Sequence, residues 1–488
     1  MIMKNKLKFF LYGGITLAIM FGFSCQIHDY EDGGISYVGG RDIGKDDMPE
    51  VKGPDKRGVC YNNLSEQQVK ELMSGNVTWA YNWGITPVNT TGRNPAGIGT
   101  KGSLKFMPMI WGKDFNEKGL RTYLDSLGEN DKESVKYLLG FNEPNMGGGD
   151  GGSSMLPNEV AELWPTLEKI AEDYDLYLVS PAMTYSGATL SNGKVYSTPE
   201  SWLDEFIDAY CDMNVGRPPR MDYIALHSYM MWPGSVVEGY CDKYAKMYNR
   251  KILLTEFCSW WDDEGIGNSH YVQVQKMSQK IEAMDQDSNV AGYAWFQADG
   301  EYYGRPWNCL FETDKFKPNL SLAGLVYTYL SCYDTEKYFA PEKKIPVVSY
   351  ITSSNYQKGA QDAYAFGQLT FRENDDSDAT EKVVAPLIIK DFGKNYLDSN
   401  EANRFQNYMD YQITTQEEGE YQFSVRYKSN AEQVVLIEGI PVTLPSTSDS
   451  WDTKELTGIP LVQGNQTIRF EYKSGGSSSL AWIKFEKK

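Results

Sequence analysis

Lys251-Ile252-Leu253-Leu254-Thr255-Glu256-Phe257 is a short aliphatic run with a carboxylate near its C-terminal end. A stretch this uniformly apolar fits a strand buried on both faces, the texture of a parallel sheet covered by helices. Tyr137-Leu138-Leu139-Gly140-Phe141-Asn142 has the same texture and delivers Glu143, with Pro144-Asn145 behind it. Side chains just past the C-terminal ends of parallel strands are where an α/β barrel keeps its chemistry.

Working outward, six further runs share this character: Gly58 to Asn62, Val77 to Trp83, Lys105 to Trp111, Leu176 to Ala182, Met221 to Tyr229 and Val290 to Gln297. Between them, Ser65 to Met73, Asn158 to Tyr174, Ser201 to Tyr210 and Tyr271 to Met284 carry apolar residues at three-to-four spacing, as outer helices of a barrel would. The alternation predicts an α/β fold, one (β/α)8 TIM barrel over residues 57–335, with the Glu143 run as strand four and the Glu256 run as strand seven. Gly147 to Gly152 follows the fourth run. No Lys-Ser/Thr accompanies these glycines, so they read as a loop at the cleft rim and not as a phosphate cradle. From about Ile345 the pattern changes to short alternating strands such as Tyr421 to Tyr427 and Thr467 to Tyr472, which predicts an all-β sandwich over residues 345–488.

The composition narrows the partners. With 66 acidic and 47 basic residues the net charge is −19, which excludes the electrostatic footprint of a nucleic-acid binder. Aromatic residues make up 14%, with 12 Trp and 34 Tyr, the equipment for gripping neutral sugars by ring faces. No cofactor is expected. Three histidines and no C-x-x-C spacing argue against a zinc site, and no metal is expected either.

Two carboxylates on separate barrel strands fit cleavage of a glycosidic bond. One must be protonated to donate to the leaving oxygen, and the other ionised to meet the oxocarbenium-like carbon. Glu143 reads as the acid and base, its pKa raised, and Glu256 as the nucleophile, kept charged by hydrogen bonds; a carboxyl separation of about 5–5.5 Å would give retention of configuration. Asn142 is placed to bond a sugar hydroxyl. His227, with Tyr229 two residues on and facing the same side, is placed to orient a carboxylate. Trp83, Trp111, Trp232, Trp260, Trp261 and Trp295 fall at or beyond strand ends and supply candidate sugar platforms, with Trp295 and one of Trp260 and Trp261 lining the cleft.

Asn142-Glu143-Pro144 and Thr255-Glu256-Phe257 resemble the paired motifs of retaining clan A glycosidases. With Ala80-Tyr81-Asn82-Trp83-Gly84, Leu139 to Asn145 and His227-Ser228-Tyr229, the likeness narrows to glycoside hydrolase family 128. That resemblance implies an endo-acting β-1,3-glucanase and adds Asn82 to the substrate-binding candidates. Cleavage of another β-glycan, a β-mannan or β-1,4-glucan, and a non-catalytic glycan-binding protein stay open as alternatives. The C-terminal part resembles carbohydrate-binding modules of families 6 and 35 through Met409 to Ile413, Glu418 to Tyr421 and Leu480 to Phe485. Ser479 and Ala481 stand where those modules usually have Asn and Asp, which leaves a sugar-binding module and a purely structural sandwich as alternatives.

At the start, Lys4, Lys6 and Lys8 precede an apolar run from Phe9 to Phe23, and Ser24-Cys25 follows. The pattern reads as a signal peptide over residues 1–24 and resembles a bacterial lipoprotein leader, with Cys25 lipidated and residues 25–56 a tether. It predicts export and a lipid anchor in the outer membrane, on either face. The other six cysteines are an even set in a disulfide-permissive compartment, with connectivity open.

Overall fold

The computed structural model describes residues 53–89, 91–261, 270–299, 306–312, 319–331, 343–354, 370–371, 387–389, 408–476 and 478–487. The leader, Cys25, the tether as far as residue 52, and Cys332 lie outside these residues. No helix among the described residues is long and apolar enough to cross a membrane.

Eight parallel strands form the first sheet: β1 Arg57–Cys60, β2 Trp79–Tyr81, β3 Lys105–Phe106, β4 Tyr137–Leu139, β5 Tyr177–Val179, β6 Tyr223–Met230, β7 Lys251–Trp261 and β8 Val290–Trp295. Their order β3-β2-β1-β8-β7-β6-β5-β4 leaves one seam, and the parallel bridge Met109↔Leu139 closes it. Each of the eight runs became a strand. Among the described residues seven α-helices accompany them: α1 Glu66–Met73, α2 Glu117–Asp125, α3 Pro157–Asp173, α4 Pro199–Met213, α5 Gly234–Tyr248, α6 His270–Gln286 and α7 Leu322–Tyr329.

The barrel interior is aromatic. Tyr137, Tyr177 and Tyr223 close its lower end with ring centroids 5.5–5.8 Å apart. Above them Trp79 fills the axis, and a Cβ on Gly58 would lie 2.2 Å from its indole, so β1 needs a glycine there. Tyr81, Tyr229 and Phe296 form the upper layer, around the site.

Arg57, at the start of β1, joins several elements. Its guanidinium donates to Tyr293 Oη on β8 (3.0 Å), to the carbonyls of Tyr327 (2.8 Å) and Leu330 (2.6 Å) at the end of α7, and to Asp285 Oδ2 on α6 (3.1 Å). Every one of these groups is buried in the wall that unites the first and last strands of the barrel.

The C-terminal region forms two antiparallel sheets. Their strands are β10 Thr352–Ser353, β11 Thr370–Phe371, β12 Leu387–Ile389, β13 Tyr408–Thr415, β14 Gly419–Ser429, β15 Gln433–Ile437, β16 Ile440–Leu444, β17 Asp452–Leu461, β18 Gly464–Gly475 and β19 Ser478–Lys487. One sheet has the order β10-β13-β18-β15-β16, and the other β11-β12-β19-β14-β17. Phe423 packs on Phe470 of the facing sheet and on Phe485 of its own. A further short strand, β9 Ile345–Pro346, pairs with β19.

The sandwich is fastened to the barrel through α6. Ser353 Oγ lies 2.8 and 3.0 Å from the two carboxyl oxygens of Glu282, and the Ser353 amide donates to the same group. Burial pushes the Glu282 carboxyl up to about 8. Between the ordinary value of about 4.3 and that point, the folded chain holds a proton that the unfolded chain has lost. Stability therefore falls as pH rises through this window, by up to about 1.4 kcal/mol per unit from this group. Glu282→Gln is expected to remove that slope. Thermal unfolding from pH 5 to 8 should drop more steeply for the wild type than for the variant, and parallel profiles would refute a protonated Glu282.

No disulfide joins the five described cysteines, Cys60, Cys211, Cys241, Cys258 and Cys309. The even set of six therefore does not act as a staple among these residues. Cys60 and Cys241 are instead packed in the core.

Candidate active site

The upper end of the barrel is shaped by two irregularities. On β7 the pairing with β6 runs Leu226↔Leu254 and then His227↔Glu256, so Thr255 is an extra residue. That bulge resets the alternation of sides. Leu253 faces the barrel interior and Leu254 the helices; with Thr255 inserted, Glu256 turns inward while Phe257 packs outward on Tyr293 and Trp295. The second irregularity is at the end of β4. Gly140 brings this strand close to β5, where a Cβ would come within 2.9 Å of Pro181 N. Beyond it Glu143 adopts φ 42°, its amide donating to the Ala182 carbonyl at 2.9 Å. The glycine loop folds back over this turn. Ser153 N donates to Asn142 O and Met155 N to Pro144 O, and a Cβ on Gly152 would lie 2.6 Å from Glu143 O.

Both carboxylates are buried, and one imidazole lies against the two of them. His227 Nδ1 is 2.7 Å from Glu143 Oε1, while Nε2 is 3.0 Å from Thr255 Oγ1 and 3.6 Å from Glu256 Oε1. Burial works against the His227 charge, but the charges of Glu256 and Glu143 outweigh it and hold the imidazole above its ordinary value.

Glu256 accepts three hydrogen bonds. Tyr81 Oη and Trp83 Nε1 each donate to Oε1 at 2.8 Å, and Tyr229 Oη donates to Oε2. These donors and His227 favour its ionised form. Burial, helped by the charge of Glu143, is stronger and raises the carboxyl above the ordinary glutamate value. The expected hydrogen bonds are therefore present, but the net direction is upward because the group is shut away from water and shares its enclosure with a like charge.

The remaining sequence candidates divide. Asn142 is buried beside Glu143; its amide reaches Gly151 O at 3.3 Å, and its Oδ1 has no partner among the described residues. Trp111 is 40% exposed, and its carbonyl accepts from Asn142 N, which puts an open indole next to the Glu143 turn. Trp83 serves Glu256 directly, with ring edges toward Tyr81 and Phe296. Asn82 uses both ends of its amide on its own loop, donating to Thr86 O and Val88 O and accepting from Gly84 N. Trp295 does not line the cleft. It is fully buried on the helix side of β8, with Nε1 bonded to Asn308 O and its ring on Phe257 and Tyr327, while Phe296 takes the inward place. Trp232 packs against Tyr185 and Tyr240. The side chains of Trp260 and Trp261 lie outside the described residues.

Tyr81, Thr255 and Phe296 were not singled out from the sequence, although Tyr81 and Thr255 stand inside the quoted motifs. Among the described residues no three His, Cys, Asp or Glu side chains converge as a metal site.

Residues 58–327 match the family model described as a glycosyl hydrolase catalytic core. The chain belongs to this family. It is therefore a glycoside hydrolase whose barrel presents two buried carboxylates at its C-terminal face. Similar solved structures include a family 128 (subgroup II) endo-beta-1,3-glucanase from Pseudomonas viridiflava, at 28% identity over 56% of this chain and 96% of that one, TM-score 0.46. The corresponding enzyme from Sorangium cellulosum has 26% identity over 56% and 97%, TM-score 0.45. A subgroup I endo-beta-1,3-glucanase from Amycolatopsis mediterranei in complex with laminaritriose has 25% identity over 56% and 98%, TM-score 0.40. No curated protein matches the chain.

Proposed function

We propose that this glycoside hydrolase cleaves β-1,3-glucan inside the chain with retention of configuration, using Glu143 as acid and base and Glu256 as nucleophile. The observation that carries the assignment is the imidazole of His227 placed against both carboxylates, on β6, one of the two strands that separate them in the barrel wall. Glu143 gives its proton to the leaving oxygen as a Glu256 oxygen attacks the anomeric carbon, forming a glycosyl ester. Glu143 then takes a proton from water, which attacks the same carbon and releases Glu256. Asn142 Oδ1 is an open acceptor for a sugar hydroxyl, and Trp111 offers a face for a neighbouring ring. The choice of linkage rests on the motif resemblance to family 128. Anchorage at the outer membrane through Cys25 belongs to the same proposal and is supported by the leader's lysines and apolar run.

Product analysis on linear β-1,3-glucan, mixed-linkage glucan, cellulose and mannan tests this reading. Mixed-length β-1,3 oligosaccharides as early products support it. Preference for mannan or cellulose would move the linkage, and binding without hydrolysis would overturn the enzymatic reading.

The pH dependence follows from Glu256. An ionised nucleophile is required, and this carboxyl is raised, so activity is lost as pH falls through a value above the ordinary glutamate range of about 4.3. Tyr229→Phe removes a donor that favours the ionised form and is expected to move the acid limb of kcat to still higher pH. An unmoved limb would dissociate Tyr229 from the nucleophile.

A further inference from the structure

Behind the site, on α6, lies a lysine that no step above uses. Lys280 is fully buried and faces no carboxylate within bonding distance among the described residues. Its Nζ donates to Met230 O at 2.8 Å, to Cys258 O at 2.7 Å and to Ser259 Oγ at 2.8 Å. Burial away from water lowers its pKa to about 7, and the three oxygens stand where water would otherwise surround the group. Three acceptors match the three donors of an ammonium group.

The acceptors sit where the barrel ladder is irregular. Besides the shift at Thr255, β6 and β7 change register again between Ser228 and Met230, and β7 and β8 between Leu254 and Phe257. Such shifts leave carbonyls without ladder partners. Met230 directly follows Tyr229, and Cys258 is two residues past Glu256. The ammonium thus ties together the ends of both strands that carry the Tyr229–Glu256 hydrogen bond.

We infer that Lys280 is a positioning residue for hydrolysis, holding the irregular ends of β6 and β7 so that Tyr229 meets Glu256. The inference rests on the nucleophile role proposed for Glu256. Lys280 touches no substrate atom and acts through the two strands. Its loss should lower kcat more than it raises KM, because the sugar platforms stay while the nucleophile turns.

Lys280→Met, of similar length without the charge, is expected to lower kcat by about 10²-fold with KM changed by less than about threefold. In a Tyr229→Phe background the same substitution should add less than about threefold, since the bond it protects is already gone. Multiplicative losses, or a change in KM alone, would overturn the inference. Should Lys280→Met fail to fold, Ser259→Ala removes one of the three acceptors. A smaller kcat loss that vanishes in Tyr229→Phe supports the clamp, and an unchanged kcat overturns it. A crystal structure of either variant reads the same claim without turnover: Tyr229 Oη is expected to leave Glu256, and an unmoved contact refutes the inference even if the wild type cuts no glycan.

Discussion

Glu143→Ala is expected to lose about 10³-fold in kcat on polysaccharide while still releasing dinitrophenolate from an activated aryl β-glucoside. That leaving group departs without a proton, so the first step survives the loss of the acid. The second step then lacks its base, and the glycosyl ester accumulates. Azide needs no base to attack, so it should restore turnover and yield a β-glycosyl azide. Glu256→Ala should lose both substrates, because no group remains to capture the anomeric carbon. Azide entering the vacated space would give the α product. The two glutamates thus separate by product configuration as well as by rate. Activity of Glu256→Ala on the aryl glycoside without added nucleophile would remove Glu256 from its role, and α azide from Glu143→Ala would exclude retention.

The second large effect concerns the fold. Arg57→Met leaves Asp285 buried with no cation at 3.1 Å and strips donors from the carbonyls of Tyr327 and Leu330. Removing one partner of a buried ion pair costs on the order of 3–5 kcal/mol, because the remaining charge has no water to turn to. Arg57→Met is expected to lose this much in denaturant unfolding. Arg57→Met combined with Asp285→Asn should lose clearly less than the sum of the single variants. A loss under about 1 kcal/mol for Arg57→Met would show that the barrel does not depend on this junction.

The strands were legible because barrel strands, apolar on both faces, stand out as continuous runs. The same property hid which way each residue points. Trp295 and Phe296 are equally apolar neighbours, and only their packing shows that Phe296 faces the axis. The bulge at Thr255 was equally silent, although it decides that Glu256 points inward. Helix α5 escaped notice because its buried face is built largely from Tyr240, Tyr244 and Tyr248, residues with little helical preference, despite a clean spacing through Val237, Cys241 and Ala245. The two glutamates and His227 were legible as strand-end polar residues in apolar surroundings. Tyr81 was not, since a tyrosine in an apolar run reads as packing until its hydroxyl is seen on Glu256. Asn82 shows the converse: an asparagine beside a cleft motif whose amide is used up by its own turn.

The chain has three histidines, and one of them touches both carboxylates. A single imidazole placed in that way is a native spectroscopic gauge. Its ring nitrogens should register the ionisation of either glutamate, the arrival of a sugar and the formation of the ester, each as a change in resonance frequency. With so few histidine signals, that record can be followed by selective isotope labelling with no probe attached.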